Sequence, residues 1–123
     1  EFSTFEEFVL SDILEKELGF DDIFKPQVVW VSKPKSNHIL VDFIGKVENL
    51  KSDLAYILET LNLKKLLSKI EEIPHLNRSK ELDLSVYENA LVVDKVRKLY
   101  KVDFEIFNYP ENPEKLLEDK NHE

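Results

Sequence analysis

The sequence of 123 residues predicts an α/β domain that is rich in helix and contains few strands. Apolar residues run almost without interruption from Ile39 to Ile44, which is typical of a strand buried on both faces of a sheet. After Asn49, leucines and isoleucines recur at helical spacing, and a second helical pattern follows Asn89. A chain of this length can bury one core, so we expect one domain or a piece of a larger one.

The composition excludes several classes of function. The formal net charge of −8 disfavours binding to nucleic acid or to an anionic membrane, because lysine and arginine carry such contacts. No apolar run is long enough to cross a bilayer, and Glu1–Gly19 carries acids where a signal peptide would be apolar. The absence of cysteine excludes disulfides and thiolate chemistry, and His38, His75 and His122 lack metal-ligand spacing. We therefore expect no metal cofactor.

The first helix is predicted over Thr4–Leu18. Thr4 and Glu7 have the spacing of a capping box, in which a hydroxyl and a carboxylate satisfy free N–H groups at the helix start. Gly19 is suited to end the helix. One face carries the apolar side chains expected in the core, which are Phe5, Phe8, Val9 and Ile13.

Two strands are predicted next. Gln27–Val31 is short, β-branched and aromatic, Lys33–Asn37 supplies turn residues, and His38–Ile44 is a second extended run. The pattern fits either a hairpin or two separate strands. Asp42 lies within the second run, and a buried carboxylate there would require a partner.

Three further helical segments are predicted. Asn49 caps a helix that continues to Leu61, and Leu63–Ile73 is helical up to the residue before Pro74. A third helix begins after Asn89 and is followed by a short final turn that Asp103 is expected to cap. The chain then ends in a charged tail that begins at Pro110.

The most site-like segment is the predicted loop from His75 to Lys80. It combines Arg78, Ser79 and Lys80 with Asn77, and such donors suit an anion. A solvated surface loop is the alternative interpretation of the same composition.

Other candidate residues carry weaker signals. Glu48 and Asp53 lie on either side of a strand-to-helix junction, and their spacing does not indicate paired carboxylates; Glu48 is expected to accept hydrogen bonds near the helix start. His38 fits a packed or edge position, and His75 has no nucleophile or acid partner at readable spacing. Gly19 and Gly45 are isolated, so no glycine-rich phosphate loop is present in the sequence.

Five segments in order, TFEEFV, KPQ, VDFIGKVENLKSDL, PHLNRSK and LYKVDFEIFNY, resemble the type-2 sulfotransferase family, which includes Golgi carbohydrate sulfotransferases and bacterial relatives. The resemblance covers Thr4–Tyr109. It implies the C-terminal portion of a sulfotransferase domain over residues 1–109, with a charged tail over residues 110–123. It also implies a three-layer fold related to the P-loop kinases, in which Val41–Lys46 is an inner strand and Asn49–Leu61 covers the sheet.

The resemblance further implies transfer of a sulfonate group from 3′-phosphoadenosine 5′-phosphosulfate to a hydroxyl or amine, with carbohydrate as the acceptor. Asn77, Arg78, Ser79 and Lys80 would contact this co-substrate. The family's phosphosulfate loop and its 3′-phosphate ligands precede the segments matched here, so the implied site needs upstream residues or another chain. Many members carry a His-Trp pair where this chain has Ile23 and Phe24.

The alternative function is a non-catalytic, helix-rich interaction module that uses Leu63–Ile73 to engage a partner. That alternative predicts a self-contained core, whereas the sulfotransferase hypothesis predicts that Val41–Ile44 lacks strand neighbours within this chain. The sequence leaves the compartment open: the resemblance implies the Golgi lumen for a eukaryotic member and the cytoplasm for a bacterial one.

Overall fold

The computed structural model describes residues 1–74, 76 and 84–114, and it divides the chain into two compact units. Unit 1 comprises Glu1–Leu40 and Asp83–Glu123, and unit 2 comprises Val41–Leu82. The α-helices are α1 (Phe5–Leu10), α2 (Ile13–Glu17), α3 (Leu50–Thr60), α4 (Ala90–Leu99) and α5 (Lys101–Ile106). The 3-10 helices are Gln27–Trp30, Val47–Asn49, Lys64–Glu72 and Ser85–Glu88. The prediction of a helix-rich chain is confirmed.

The predicted first helix is present but divided into α1 and α2. Thr4 caps α1 as predicted, with its hydroxyl accepting a hydrogen bond from the Glu7 N–H at 3.2 Å. The Glu7 carboxylate accepts from the Ser3 N–H at 2.8 Å, one residue before the expected donor. Ser11 ends α1, because its hydroxyl donates to the Phe8 carbonyl at 2.7 Å and accepts from the Ile13 N–H at 3.3 Å.

The core of unit 1 lies between α1, α2 and α4. Val9, Leu14 and Val92 are buried there, with exposed fractions of 1%, 4% and 3%. The partly buried side chains around them are Phe8, Phe24, Val86, Val96 and Leu99. This confirms the predicted packing of Phe8 and Val9, whereas Phe5 is 57% exposed and Ile13 38% exposed.

The predicted strand Gln27–Val31 is wrong: Gln27–Trp30 is a 3-10 helix whose N-cap position is Pro26. The predicted turn is confirmed around Lys35, which has a φ of 60°. Beyond this turn, the described residues form one isolated antiparallel bridge, between Ser32 and Ile39. Of the predicted hairpin, the described residues therefore form only the bridge between Ser32 and Ile39.

The predicted inner strand Val41–Lys46 does not form within the part of the chain that the structure describes. A strand needs a neighbouring strand to accept and donate its backbone hydrogen bonds. Residues 1–74, 76 and 84–114 supply no neighbouring strand to this segment. The side chains remain accessible, with Val41 45% and Phe43 40% exposed. Asp42 is also exposed, so its carboxylate does not need the partner that burial would have required.

Unit 2 is built on α3, which matches the predicted helix after Asn49. The Asn49 side chain makes no capping hydrogen bond; instead, its carbonyl accepts from the Ser52 hydroxyl at 3.0 Å. The predicted helix over Leu63–Ile73 is present as the 3-10 helix Lys64–Glu72, which packs against α3. Ile70 is buried at 7% exposure.

The C-terminal helices of unit 1 follow the sequence pattern closely. The Asn89 side chain caps α4 by accepting hydrogen bonds from the backbone N–H groups of Leu91 and Val92, at 3.2 and 3.4 Å. The short final turn is α5, and Asn108 follows it with a φ of 56°. Among the described residues, no helix combines the length and apolar character needed to cross a membrane.

Candidate functional site

The predicted cofactor-binding residues Asn77, Arg78, Ser79 and Lys80 lie outside the described residues, as does His75. The residues that precede this segment, Pro74 and Leu76, border a cleft of about 520 Å³ in unit 2. Its other lining residues are Val47, Glu48, Leu50, Lys51 and Ile73. A cleft of this volume is within the range of small-molecule sites.

The described wall of the unit 2 cleft is mainly apolar and includes one lysine. Lys51 pairs with the Glu71 carboxylate, and the two side chains are 57% and 75% exposed. An ion pair this accessible to water contributes little to stability. The described residues therefore supply packing surface, one weakly held cation and one carboxylate, that of Glu48.

Asp53 has a structural role in the segment that precedes α3. Its carboxylate accepts a hydrogen bond from the Lys46 backbone N–H at 2.8 Å. The Phe43 and Tyr56 rings lie 5.1 Å apart, on the same stretch of unit 2. These contacts hold the extended segment against the start of α3, and they assign Asp53 to backbone binding rather than to acid–base chemistry.

Unit 1 contains a second candidate site, which we call the Asp103 clamp. The Asp103 carboxylate accepts hydrogen bonds from the backbone N–H groups of Gln27 and Val28, at 2.7 and 2.9 Å. The Tyr100 hydroxyl donates to the Phe24 carbonyl at 2.8 Å. Three hydrogen bonds therefore tie the C-terminal helices to the segment Phe24–Val28, which contains the KPQ motif.

The clamp corrects the predicted role of Asp103. We expected its carboxylate to cap the final turn of its own segment, but it satisfies free N–H groups at the start of the 3-10 helix Gln27–Trp30. The partners are 75 and 76 residues away in the chain. The proline before Gln27 was the available signal for a helix start. No local pattern indicates that the accepting carboxylate comes from Asp103.

A pocket of about 220 Å³ lies beside the clamp in unit 1. Its lining combines aromatic rings with an amide and a carboxylate: Gln27, Val96, Tyr100, Asp103, Phe104, Phe107 and Tyr109. Apolar walls with a few fixed polar groups are characteristic of ligand pockets, because the walls exclude water and the polar groups orient the ligand. The C-terminal aromatic residues of the sequence therefore line a pocket.

Burial raises the pKa of the Tyr100 phenol above its ordinary value of 10.0, and the nearby Asp103 carboxylate raises it further. Both effects disfavour the phenolate. Tyr100 is consequently a neutral phenol at physiological pH and can keep its hydrogen-bond donor role toward Phe24.

The raised pKa predicts a pH dependence of stability. In the unfolded chain Tyr100 ionises near the ordinary value, at about pH 10, whereas the folded state retains the proton. The protonated Tyr100 phenol makes its full contribution to the free energy of unfolding below about pH 10, and this contribution is lost as the pH rises through the pKa of the folded state. Unfolding free energies measured from about pH 9 to pH 11 should fall more steeply in the wild type than in Tyr100→Phe. Equal slopes would contradict the burial of a protonated phenol.

The family model described as the sulfotransferase family matches residues 1–110 of the chain. The chain belongs to the sulfotransferase family. The matched range includes the Asp103 clamp, the unit 2 cleft and the predicted anion-binding residues that follow it.

Comparisons of this sulfotransferase chain with curated proteins and with solved structures found no match. The family assignment therefore depends on the match across residues 1–110. It confirms the resemblance proposed from the five ordered segments. Two of those segments, KPQ and LYKVDFEIFNY, are the ones joined by the Asp103 clamp.

Proposed function

We propose that the protein transfers a sulfonate group from 3′-phosphoadenosine 5′-phosphosulfate to a hydroxyl or amine of a carbohydrate acceptor. The observation that carries this proposal is the match to the sulfotransferase family over residues 1–110. The acceptor oxygen or nitrogen attacks sulfur as the bond from sulfur to the bridging phosphate oxygen breaks. The acceptor proton passes to a base, and adenosine 3′,5′-bisphosphate leaves.

The proposed role of Arg78 and Lys80 follows from the charge that this reaction moves. Negative charge grows on the bridging oxygen as the sulfur–oxygen bond breaks, so cations placed there stabilise the transition state. A guanidinium can bind two anionic oxygens at once, whereas a lysine acts as a point charge. We assign Asn77, Arg78, Ser79 and Lys80 to the co-substrate, with Asn77 shaping the loop.

We further propose that residues 1–109 form the C-terminal portion of the catalytic domain and act with upstream residues or another chain. The support is the apolar segment before α3. Leu40, Val41 and Val47 are 62%, 45% and 87% exposed, and the described residues give the intervening backbone no strand partner. An extended apolar segment that has no neighbouring strand among the described residues is suited to pairing with another strand. The catalytic base is assigned to the completing residues.

The alternative of a non-catalytic interaction module predicts that the apolar helix faces are buried within the chain. In unit 2, Leu50, Leu61 and Leu66 are 43%, 62% and 41% exposed. The described part of unit 2 therefore does not have the closed core that this alternative requires. The exposed faces favour a domain that is completed by further contacts.

Removal of the proposed cations should weaken binding of the co-substrate. In the active protein, Arg78→Ala or Lys80→Ala is expected to cost about 1.5 to 3 kcal/mol of donor affinity, because each change removes a charge-assisted contact. Isothermal titration with 3′-phosphoadenosine 5′-phosphosulfate measures the change. Arg97→Ala is the matched control, since Arg97 is held by Asp94 and by the Glu111 carbonyl in unit 1. Unchanged affinity in Arg78→Ala and Lys80→Ala would remove these residues from the site.

The proposed activity is tested with a donor that carries labelled sulfur. Label should pass to a carbohydrate acceptor when residues 1–123 are produced with the residues that precede them in the reading frame, and it should not pass with the 123-residue chain alone. Transfer by the chain alone would contradict the proposed incompleteness. Absence of transfer from both proteins, across hydroxyl and amine acceptors, would contradict the proposed reaction.

A further inference from the structure

We infer that Asp103 is a positioning residue that holds the segment Phe24–Val28 and thereby places the Gln27 side chain in the unit 1 pocket, where it binds an oxygen of a substrate. This inference rests on the proposed sulfotransferase reaction, because that reaction supplies the substrates. It assigns a function to the unit 1 pocket.

The Asp103 clamp holds the segment Phe24–Val28 in place. Both carboxylate oxygens of Asp103 are used, one by the Gln27 N–H at 2.7 Å and the other by the Val28 N–H at 2.9 Å. Hydrogen bonds to an ionised carboxylate are stronger than those between neutral groups. Tyr100 holds the Phe24 carbonyl at 2.8 Å, so the segment is fixed at both of its ends.

Val28 anchors the segment on the side that faces the core. Val28, directly after Gln27, is buried at 5% exposure. Successive side chains of a 3-10 helix point about a third of a turn apart, so burial of Val28 prevents rotation of the segment that carries Gln27. The backbone of Gln27 is therefore held by a hydrogen bond and by the packing of its neighbour.

The Gln27 side-chain amide lies at the pocket. Its side chain lines the pocket with Tyr100, Phe104 and Phe107 and forms no hydrogen bond with another described residue. A carboxamide has two N–H donors and one acceptor oxygen. On a fixed backbone beside aromatic walls, such a group can orient a ligand that carries oxygen atoms.

The chemistry that Gln27 recognises is an oxygen that accepts its N–H groups. The sulfonate or phosphate oxygens of the donor provide this chemistry, and so does an acceptor hydroxyl, which can also donate to the amide oxygen. Kinetics with each substrate varied in turn distinguish the two sources. A higher KM for one substrate identifies the bound partner, whereas a fall in kcat with both KM values unchanged indicates a contact made in the transition state.

A double-mutant cycle in the active protein tests the inference. Asp103→Asn keeps the size of the side chain but replaces one acceptor oxygen with an N–H donor that opposes a backbone N–H. Asp103→Asn and Gln27→Ala are each expected to lower kcat/KM by about 10- to 100-fold, the range for a displaced binding group. The kcat/KM of the double variant should fall no further than that of the more damaging single variant, because Asp103 acts through Gln27.

Asn89→Ala is the control for stability. It removes the α4 cap, which lies outside the clamp, and should change kcat/KM by less than about twofold at a temperature where the protein stays folded. Asp103→Glu retains two acceptor oxygens and should recover more activity than Asp103→Ala. If Asp103 contributed only to folding, the Asp103→Glu and Asp103→Ala variants would have equal kcat/KM under conditions where both are fully folded.

Three results would overturn the inference while wild-type transfer remains intact. These are multiplicative losses in the double variant, unchanged kcat/KM in Gln27→Ala, and unchanged kcat/KM in Asp103→Asn. Amide exchange at Gln27 and Val28 supports the kinetic result, because Asp103→Asn should accelerate exchange there and leave Leu91 unaffected. Lack of transfer by the wild type would instead contradict the proposed function.

Discussion

Asp103→Ala is expected to lower the free energy of unfolding of unit 1 by about 2 to 4 kcal/mol. The change removes two hydrogen bonds to an ionised carboxylate, each worth about 1.5 to 3 kcal/mol before allowance for partial exposure to water. It also leaves the N–H of buried Val28 without its partner. Urea denaturation followed by circular dichroism measures the change.

The matched control for this change is Asp94→Ala. Asp94 is also an aspartate on a helix of unit 1, but its partner is Arg97 and the Asp94 side chain is 56% exposed. Loss of an exposed ion pair costs less than about 1 kcal/mol. Equal losses of stability in the two variants would show that the Asp103 clamp contributes no more than a surface contact.

Leu14→Ala is expected to lower the free energy of unfolding by about 2 to 5 kcal/mol, the range for removal of a large aliphatic side chain from a core. Leu14 is 4% exposed and packs with Val9 and Val92, so its truncation removes buried apolar area and leaves a cavity. Urea denaturation followed by circular dichroism measures the change.

Leu91→Ala is the control for Leu14→Ala, because it makes the same substitution at a position that is 69% exposed on α4. A change of less than about 0.5 kcal/mol is expected there. A loss at Leu91 as large as that at Leu14 would contradict the placement of the core between α1, α2 and α4.

The helices of this chain could be predicted because their signals are local. The capping side chains Thr4 and Asn89 lie within three residues of the N–H groups that they satisfy. The break at Ser11 was missed, since a serine is compatible with a helix interior until its hydroxyl bonds to neighbouring backbone groups on both sides. Local sequence thus predicted the helical segments better than their boundaries.

The strands could not be predicted reliably because a strand depends on a partner that is distant in sequence. Gln27–Val31 has the β-branched and aromatic composition of a strand, yet Asp103 caps it as a 3-10 helix from 76 residues away. Val41–Lys46 has the composition of a buried strand, but the described residues offer it no neighbour. In both segments a nonlocal contact, present or absent, decides the backbone conformation.

The candidate sites show the same division between local and nonlocal information. The family resemblance was recognised from segments in order, and the match over residues 1–110 confirms it. The predicted contacts of Asn77, Arg78, Ser79 and Lys80 lie outside the described residues and stay a prediction. The Asp103 clamp was missed because neither KPQ nor LYKVDFEIFNY indicates by itself that the two segments meet.

Binding of 3′-phosphoadenosine 5′-phosphosulfate is the most direct measurement of whether this chain supplies part of a sulfonate-donor site. Titration calorimetry should detect saturable binding to the chain extended by any residues that precede Glu1 in its reading frame, with loss of affinity in Arg78→Ala. The 123-residue chain alone should show no saturable binding. Full-affinity binding by the chain alone, or no binding by either protein, would contradict the account.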